Sequence, residues 1–224
     1  MSEAERIREV YEAREQSIPA ERYSYRNVGT RLIERELEDV LLSWLPDLRA
    51  KRILEVGCGR GDRLQHLIRW GASPENLVGV EIIRDRADEA RNSLPSCALI
   101  CHSSAERLTH LGTFDLIFQF TMFTSILDFE VKKTIASQML YVLRPGGLIV
   151  WYDMFWKNPW NPHMHPIGKP QIRQLFPNCD IRCRRATFVA PLARRLGPYS
   201  LLACRALAAL RFLSTHYLAL ISKS

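Results

Sequence analysis

The stretch that most restricts the fold is ILEVGCGRGDRL, in which Glu55 precedes Gly57, Gly59 and Gly61 between a strand-like run and a helix start. A glycine has no Cβ, so a loop of this kind turns tightly and lets the backbone approach a ligand closely. In an open α/β sheet such a loop lies at the carboxyl end of its strand, where ligands bind. The residues up to Asp153 keep the matching rhythm. Apolar runs over 51–57, 76–82, 97–103, 114–122 and 148–153 predict strands. Between them a helix opens near Asp62 as its N-cap, a charged helix follows over 84–94, and an amphipathic one spans 131–143. Arg144-Pro145-Gly146-Gly147 is read as the stop of that last helix. Continuous apolar strands alternating with helices predict an α/β fold with a parallel sheet covered on both faces.

The flanks read differently. Ile7, Val10, Tyr11 and Arg14 share one helix face, and Leu32, Ile33, Leu37, Val40, Leu41 and Trp44 share another, with a polar connector between them. After Asp153 comes a proline- and aromatic-rich loop, then a short helix at PQIRQLF, an alternating strand over 180–189, an apolar helix over 198–213 and a strand over 216–222. Charge is lopsided too. The chain carries +7 overall, yet residues 1–153 sum to −3 and residues 154–224 to +10, with Asp180 the single acid in the latter. The basic excess suits an acidic substrate, nucleic acid or an anionic membrane. Six cysteines (Cys58, Cys97, Cys101, Cys179, Cys183, Cys204) form no CxxC pair and no zinc-type spacing, so buried free thiols are expected. The charged opening MSEAERIREVYEAREQ predicts no secretory signal, and a cytoplasmic address is expected.

A nicotinamide or flavin dinucleotide would need a third glycine where Asp62 or Leu64 stands, and an aspartate at the helix start repels pyrophosphate. E-x-G-x-G-x-G instead resembles motif I of the class I S-adenosylmethionine-dependent methyltransferases. Glu81 ends the second strand, FDLIFQFTMF resembles the family's fourth strand, and LRPGGLIVWYD resembles its helix–turn–strand ending. The resemblance implies a Rossmann-like, mostly parallel seven-stranded sheet with helices on both faces, an N-terminal helical extension or lid (1–50), a cofactor core (51–153) and a closing region with a helical cap (154–224). It also implies S-adenosylmethionine as cofactor and S-adenosylhomocysteine as product. Glu55, Gly57, Cys58, Gly59, Gly61, Ile82 and Gln119 would line that site, with Tyr25 from the extension. Glu81 would accept from the ribose hydroxyls, and Ser104, beside Ala105, stands where many relatives carry an acid for the adenine amino group.

Methyl transfer needs alignment and a desolvated nucleophile more than any particular base. Gln119-Phe120-Thr121-Met122 stands where methyltransferases of DNA adenine or protein glutamine carry Asn/Asp-Pro-Pro-aromatic, which argues against those acceptors; Asn158-Pro159-Trp160 follows the fifth strand instead. Tyr152, Asp153, His163 and His165 are the catalytic candidates, and no metal is expected. Phe155, Trp156, Trp160, Arg184, Arg185, Arg194 and Arg195 are the candidates for substrate recognition, the arginines suiting a phosphate or carboxylate. The region after Asp153 resembles that of a group of small bacterial enzymes with an N-P-x-N-P loop, LFP and P-L-A-R-R-L. The expected activity is methylation of a hydroxyl, amine or carboxylate on a small anionic or amphiphilic metabolite, natural-product or cell-envelope intermediate. The alternatives are an RNA or protein methyltransferase using the basic region, a membrane-surface enzyme acting on a lipid-linked substrate, and a binding module without catalysis. Arginines interleaved with Leu and Ala argue against nucleic acid, burial of the 198–213 helix is favoured over membrane docking, and monomer and homodimer both stay open.

Overall fold

The computed structural model describes residues 2–17, 28–45, 47–157, 161–188 and 214–224. Seven strands make one sheet: β1 (Ile53–Val56), β2 (Leu77–Glu81), β3 (Leu99–His102), β4 (Phe114–Phe120), β5 (Leu143–Met154), β6 (Cys179–Phe188) and β7 (Ser214–Lys223). Their spatial order is β3-β2-β1-β4-β5-β7-β6. Strands β1 to β5 pair in parallel, and β7 runs antiparallel between β5 and β6. The chain therefore has the expected mostly parallel, seven-stranded Rossmann-like sheet.

Alternate side chains of each strand enter two cores. Leu54, Val56, Val80, Ile117, Ile149 and Trp151 pack on one face with α5 (Phe129–Val142) and α6 (Lys169–Leu175), through Ile135, Met139 and Ile172. Ile53, Leu77, Phe118, Val150 and Tyr152 pack on the other with α2 (Val28–Trp44), α3 (Asp62–Arg69) and α4 (Arg84–Ser93), through Leu37, Leu41, Leu64, Leu67 and Ala90. Central strands buried on both sides explain why their sequences read as unbroken apolar runs. The remaining helix, α1 (Glu3–Ser17), is mostly polar, and its Ile7 packs against the core. Its other ties are polar: Arg6 donates to the Ser125 carbonyl, Tyr11 shares a 3.0 Å bond with the Ser125 hydroxyl, the Leu127 N–H donates to Glu3, and Arg86 lies over the Tyr11 ring.

Two boundaries depart from expectation. Gly61, with φ 85°, takes the N-cap position of α3, and Asp62 is its first helical residue. Strand β5 begins at Leu143, so Arg144-Pro145-Gly146-Gly147 lies within the strand as an irregularity between the pairs Phe114/Leu143 and Leu116/Leu148. A Cβ on Gly147 would sit 2.9 Å from the Asp115 carbonyl, and Arg144 grips the Asp115 carboxylate with 2.9 Å contacts to both oxygens. Close approach and an ion pair thus hold the irregular segment onto β4. Cys179 and Cys183 share one half-buried face of β6, whereas Cys97 lies exposed in a turn before β3. The helix expected over 198–213 lies outside the described residues. No described helix is long and apolar enough to cross a membrane.

Gly79, in the middle of β2, sets how closely the glycine loop seats on the sheet. A Cβ there would meet Cys58 Sγ and Ile100 Cδ1 at 2.8 Å and Leu64 Cδ1 at 2.9 Å. Gly79→Ala is expected to destabilise the protein by about 1–3 kcal/mol through overpacking, measured by chemical denaturation.

Candidate functional site

At the carboxyl ends of β1, β2 and β4 the structure opens into a cavity of about 540 Å³, partly roofed by α1 through Ile7 and Tyr11 and by α2 through Glu34. Its floor is the glycine loop. Gly57 and Cys58 donate to the Val80 carbonyl at 2.8 and 3.0 Å, which pins the loop to β2. Gly57 has φ 73°, and a Cβ there would collide with Met122 Cγ at 2.9 Å. Gly59 has φ 56° and nothing within 4 Å of a built Cβ, so any side chain at this position would project into open space.

The Glu81 carboxylate is nearly buried at the end of β2 and is fixed by two backbone donors. Gly59 N–H bonds its Oε2 at 2.8 Å and Ile83 N–H bonds its Oε1 at 3.0 Å. Each carboxylate oxygen accepts more than one hydrogen bond, so both retain capacity toward the cavity they line. Glu55 is the reverse case. It is buried at 3 % exposure, its Oε2 has no partner, and burial, opposed by Arg63, pushes its pKa up to about 8. Ile82, Ser104 and Ala105 also line the cavity, with the Ser104 hydroxyl donating to Glu106 at 3.0 Å. The Cys58 thiol faces the cavity buried, and burial raises its pKa far enough to keep it protonated.

The other expected residues lie elsewhere. Gln119 is fully buried behind Met122, donating to the Tyr152 carbonyl and to Asp153 and accepting from Met122 N–H. Asp153 is also buried, accepting from the N–H groups of Thr124 at 3.2 Å and Met154 at 2.8 Å; burial lifts its pKa to about 6. Lys132, buried in α5 and lowered in pKa by that burial, interacts with Asp153 and Glu3 charges that oppose the shift. Tyr152 bonds Thr187 and stacks on the buried His216, and burial raises its phenol. Neither Tyr152 nor Asp153 is on the cavity wall. His163 and His165 are exposed, the latter's N–H bonding the Thr124 carbonyl. Phe155 stacks on Tyr217 and has Arg185 over its own ring, Trp156 is exposed, and Arg184 is half-buried on β6. Tyr25, Trp160, Arg194 and Arg195 fall outside the described residues. Among the described residues no group of three His, Cys, Asp or Glu is placed to hold a metal ion.

The cavity also brings in residues that sequence reasoning passed over: Glu34, Arg63, His66, Phe120, Thr121 and Met122, with Ile7 and Tyr11 of α1. Thr121 has φ 52°, a left-handed backbone that a β-branched residue rarely adopts, and its N–H bonds the Tyr152 carbonyl at 2.8 Å. This turn ends β4 and swings Met122 over Gly57. Arg63, two residues past Gly61, carried its only legible signal in that proximity to the loop.

Residues 53–147 match the family model described as a methyltransferase domain. The methyltransferase ausD of Penicillium brasilianum is 30% identical over 112 residues, covering 44% of this chain and 40% of that protein. The ubiquinone biosynthesis O-methyltransferase of Dinoroseobacter shibae is 28% identical over 134 residues, covering 56% and 50%. The chain thus spans about half or less of the curated relatives it matches. Among solved structures, magnesium protoporphyrin IX methyltransferase from Synechocystis with bound S-adenosylmethionine superposes with a TM-score of 0.65 at 13% identity, over 100% of this chain and 98% of that one, a likeness of fold.

The raised pKa of Glu55 has a measurable sign. The folded protein keeps a proton that an unfolded glutamate, at its ordinary 4.5, has released, so stability falls as pH rises from 4.5 through about 8. His66 and His216, lowered by burial to about 4 and about 3, and Asp153, raised to about 6, have finished contributing once pH exceeds the ordinary histidine value of 6.5. Denaturation midpoints of the wild type should therefore decline between pH 6.5 and about 8, and Glu55→Gln should flatten that decline.

Proposed function

We propose that the chain, whose residues 53–147 match the methyltransferase domain model, is a class I S-adenosylmethionine-dependent methyltransferase that binds S-adenosylmethionine in this cavity and transfers the methyl group to a small molecule. The single observation that carries the reading is the Glu81 carboxylate, clamped by the Gly59 and Ile83 N–H groups with lone pairs to spare for a ribose diol. The other residues fit the same ligand. The open space above Gly59 admits a group that any side chain would fill. The unpartnered Glu55 oxygen suits an ammonium, which would draw off the proton that burial retains. Ile82, two strands away from Phe120 across the sheet order, and Ser104 and Ala105, three strands away, suit the adenine.

Bound S-adenosylmethionine supplies an electrophilic methyl group on its sulfonium. The chain's own contribution is alignment and exclusion of water. Met122 and Thr121, held at the end of β4 by the Gln119 and Tyr152 bonds, wall the place where acceptor and methyl meet. Asp153 and Tyr152 brace that wall from behind. The acceptor is a hydroxyl, amine or carboxylate on an anionic or amphiphilic small molecule. This rests on the cavity's size, on relatives named for ubiquinone biosynthesis and trans-aconitate, and on the +10 charge of residues 154–224.

Calorimetry with S-adenosylmethionine should show binding. Gly59→Arg, whose side chain fills the open space, should abolish it, and Glu81→Ala should weaken it about tenfold or more, since hydrogen bonds to charged groups contribute roughly 1.5–3 kcal/mol. A flat titration of the wild type at millimolar cofactor would overturn the reading. A methyl-labelled cofactor offered with small carboxylates, phosphates and amphiphilic phenols should yield a labelled product from one of them.

A further inference from the structure

Arg63 is the second residue of α3 and lies inside the cavity with its charge only partly employed. Its Nη2 donates to Glu34 Oε2 at 3.0 Å, the only ion pair it forms among the described residues. Its Cζ lies 4.4 Å from the centre of the Phe120 ring and 5.9 Å from that of Trp70, so two aromatic side chains fix where the guanidinium stands. The remaining nitrogens, Nε and Nη1, are buried and have no hydrogen-bond partner. A guanidinium stays charged and offers five N–H donors, and unmade hydrogen bonds of a buried donor are costly. Glu34 takes one donor direction, and the nearby Glu55 forms no ion pair with it. The orphaned N–H groups need an acceptor that the described residues do not provide.

Position adds the second half. Arg63 lies over Phe120 at the end of β4, whereas Ile82 and Ser104 follow β2 and β3 in the order β3-β2-β1-β4. At about 4.8 Å per strand spacing the two ends of the cavity are on the order of 14 Å apart. An adenosine seated by Glu81 and Ser104 therefore leaves Arg63 at the far, reacting end. Arg184, which also has a buried unpartnered Nε, is not on the cavity wall, so it has no comparable route to a ligand here.

Resting on the methyltransferase reading, we propose that Arg63 is the anion anchor of the cavity, holding a carboxylate or phosphate oxyanion against the Phe120 end. Guanidinium–oxyanion pairing is strong and directional, and the aromatic faces preorganise it. The oxyanion has two possible owners, the amino-acid end of the cofactor or the acid group of the acceptor, and both are read by one set of titrations.

The test compares wild type, Arg63→Gln and Arg63→Lys, the last keeping the charge without the planar fork, with thermal denaturation to verify folding. Each is titrated with S-adenosylhomocysteine and with 5′-methylthioadenosine, which lacks the amino-acid end. Each is then saturated with S-adenosylhomocysteine and titrated with inorganic phosphate and with citrate. If the cofactor owns the oxyanion, Arg63→Gln weakens S-adenosylhomocysteine about tenfold or more and leaves 5′-methylthioadenosine unchanged. If the acceptor owns it, both nucleosides bind as before, while the loaded wild type binds phosphate or citrate and the loaded Arg63→Gln does not. In either case Arg63→Lys recovers only part of the loss. A folded Arg63→Gln that matches wild type in every titration overturns the proposal. If neither nucleoside binds wild type, the methyltransferase reading falls, and the anchor is judged on phosphate and citrate binding to the unloaded protein alone.

Discussion

The contact on which the site depends is the bond from Gly59 N–H to the Glu81 carboxylate. It joins the loop after β1 to the end of the neighbouring strand β2, and Ile83 N–H holds the other carboxylate oxygen. A buried acid is costly to keep charged unless donors surround it. Here two backbone donors do so while leaving lone pairs directed at the cavity. The same loop is fastened through Gly57 and Cys58 to Val80, and its closeness to β2 requires the absent side chain of Gly79. Removing any one of these would move the floor of the cavity relative to its rim. Glu55, with one carboxylate oxygen left unpartnered, is driven toward its neutral form by the same burial.

The strand–helix alternation up to Asp153 was legible because each central strand is buried on both faces, which leaves an unbroken apolar run. The glycine loop was legible because its turn needs glycines, and Glu81, Ile82, Ser104 and Ala105 were named through the family resemblance; all four line the cavity. Arg63 and Glu34 were not. Their meeting depends on how α2 crosses α3, a tertiary fact that periodicity does not encode. Thr121 was hidden for another reason: a left-handed threonine breaks the local preference that sequence reading relies on, and its bonds to the Tyr152 carbonyl and the Thr124 hydroxyl hold it there. Asp153 and Tyr152 were visible as polar residues at a strand end, but as neighbours they point to opposite faces of β5, where Tyr152 meets Thr187 and His216 and Asp153 meets Thr124, contacts that only the tertiary packing reveals.

Charge shows the same division. The basic excess after Asp153 pointed to arginines of the closing region as the partners of an acidic group. Of those, Arg185 engages Phe155, Arg184 sits on β6, and Arg194 and Arg195 lie outside the described residues. The buried guanidinium in the cavity comes instead from the near-neutral core. Net charge by segment describes the long-range field, whereas recognition at close quarters depends on single groups whose hydrogen bonds are incomplete.

The placement of β7 bears on how such a chain is made. It pairs with both β5 and β6 although it follows both in sequence. As the polypeptide emerges from the ribosome, β5 presents an open edge and β6 has nothing to pair with until residues 214–223 are free of the exit tunnel. Unpaired edges template association between nascent chains. Completion of the sheet is thus postponed until residues 214–223 have followed β6, and the strands that carry the cavity, β1, β2 and β4, are made before the sheet is whole.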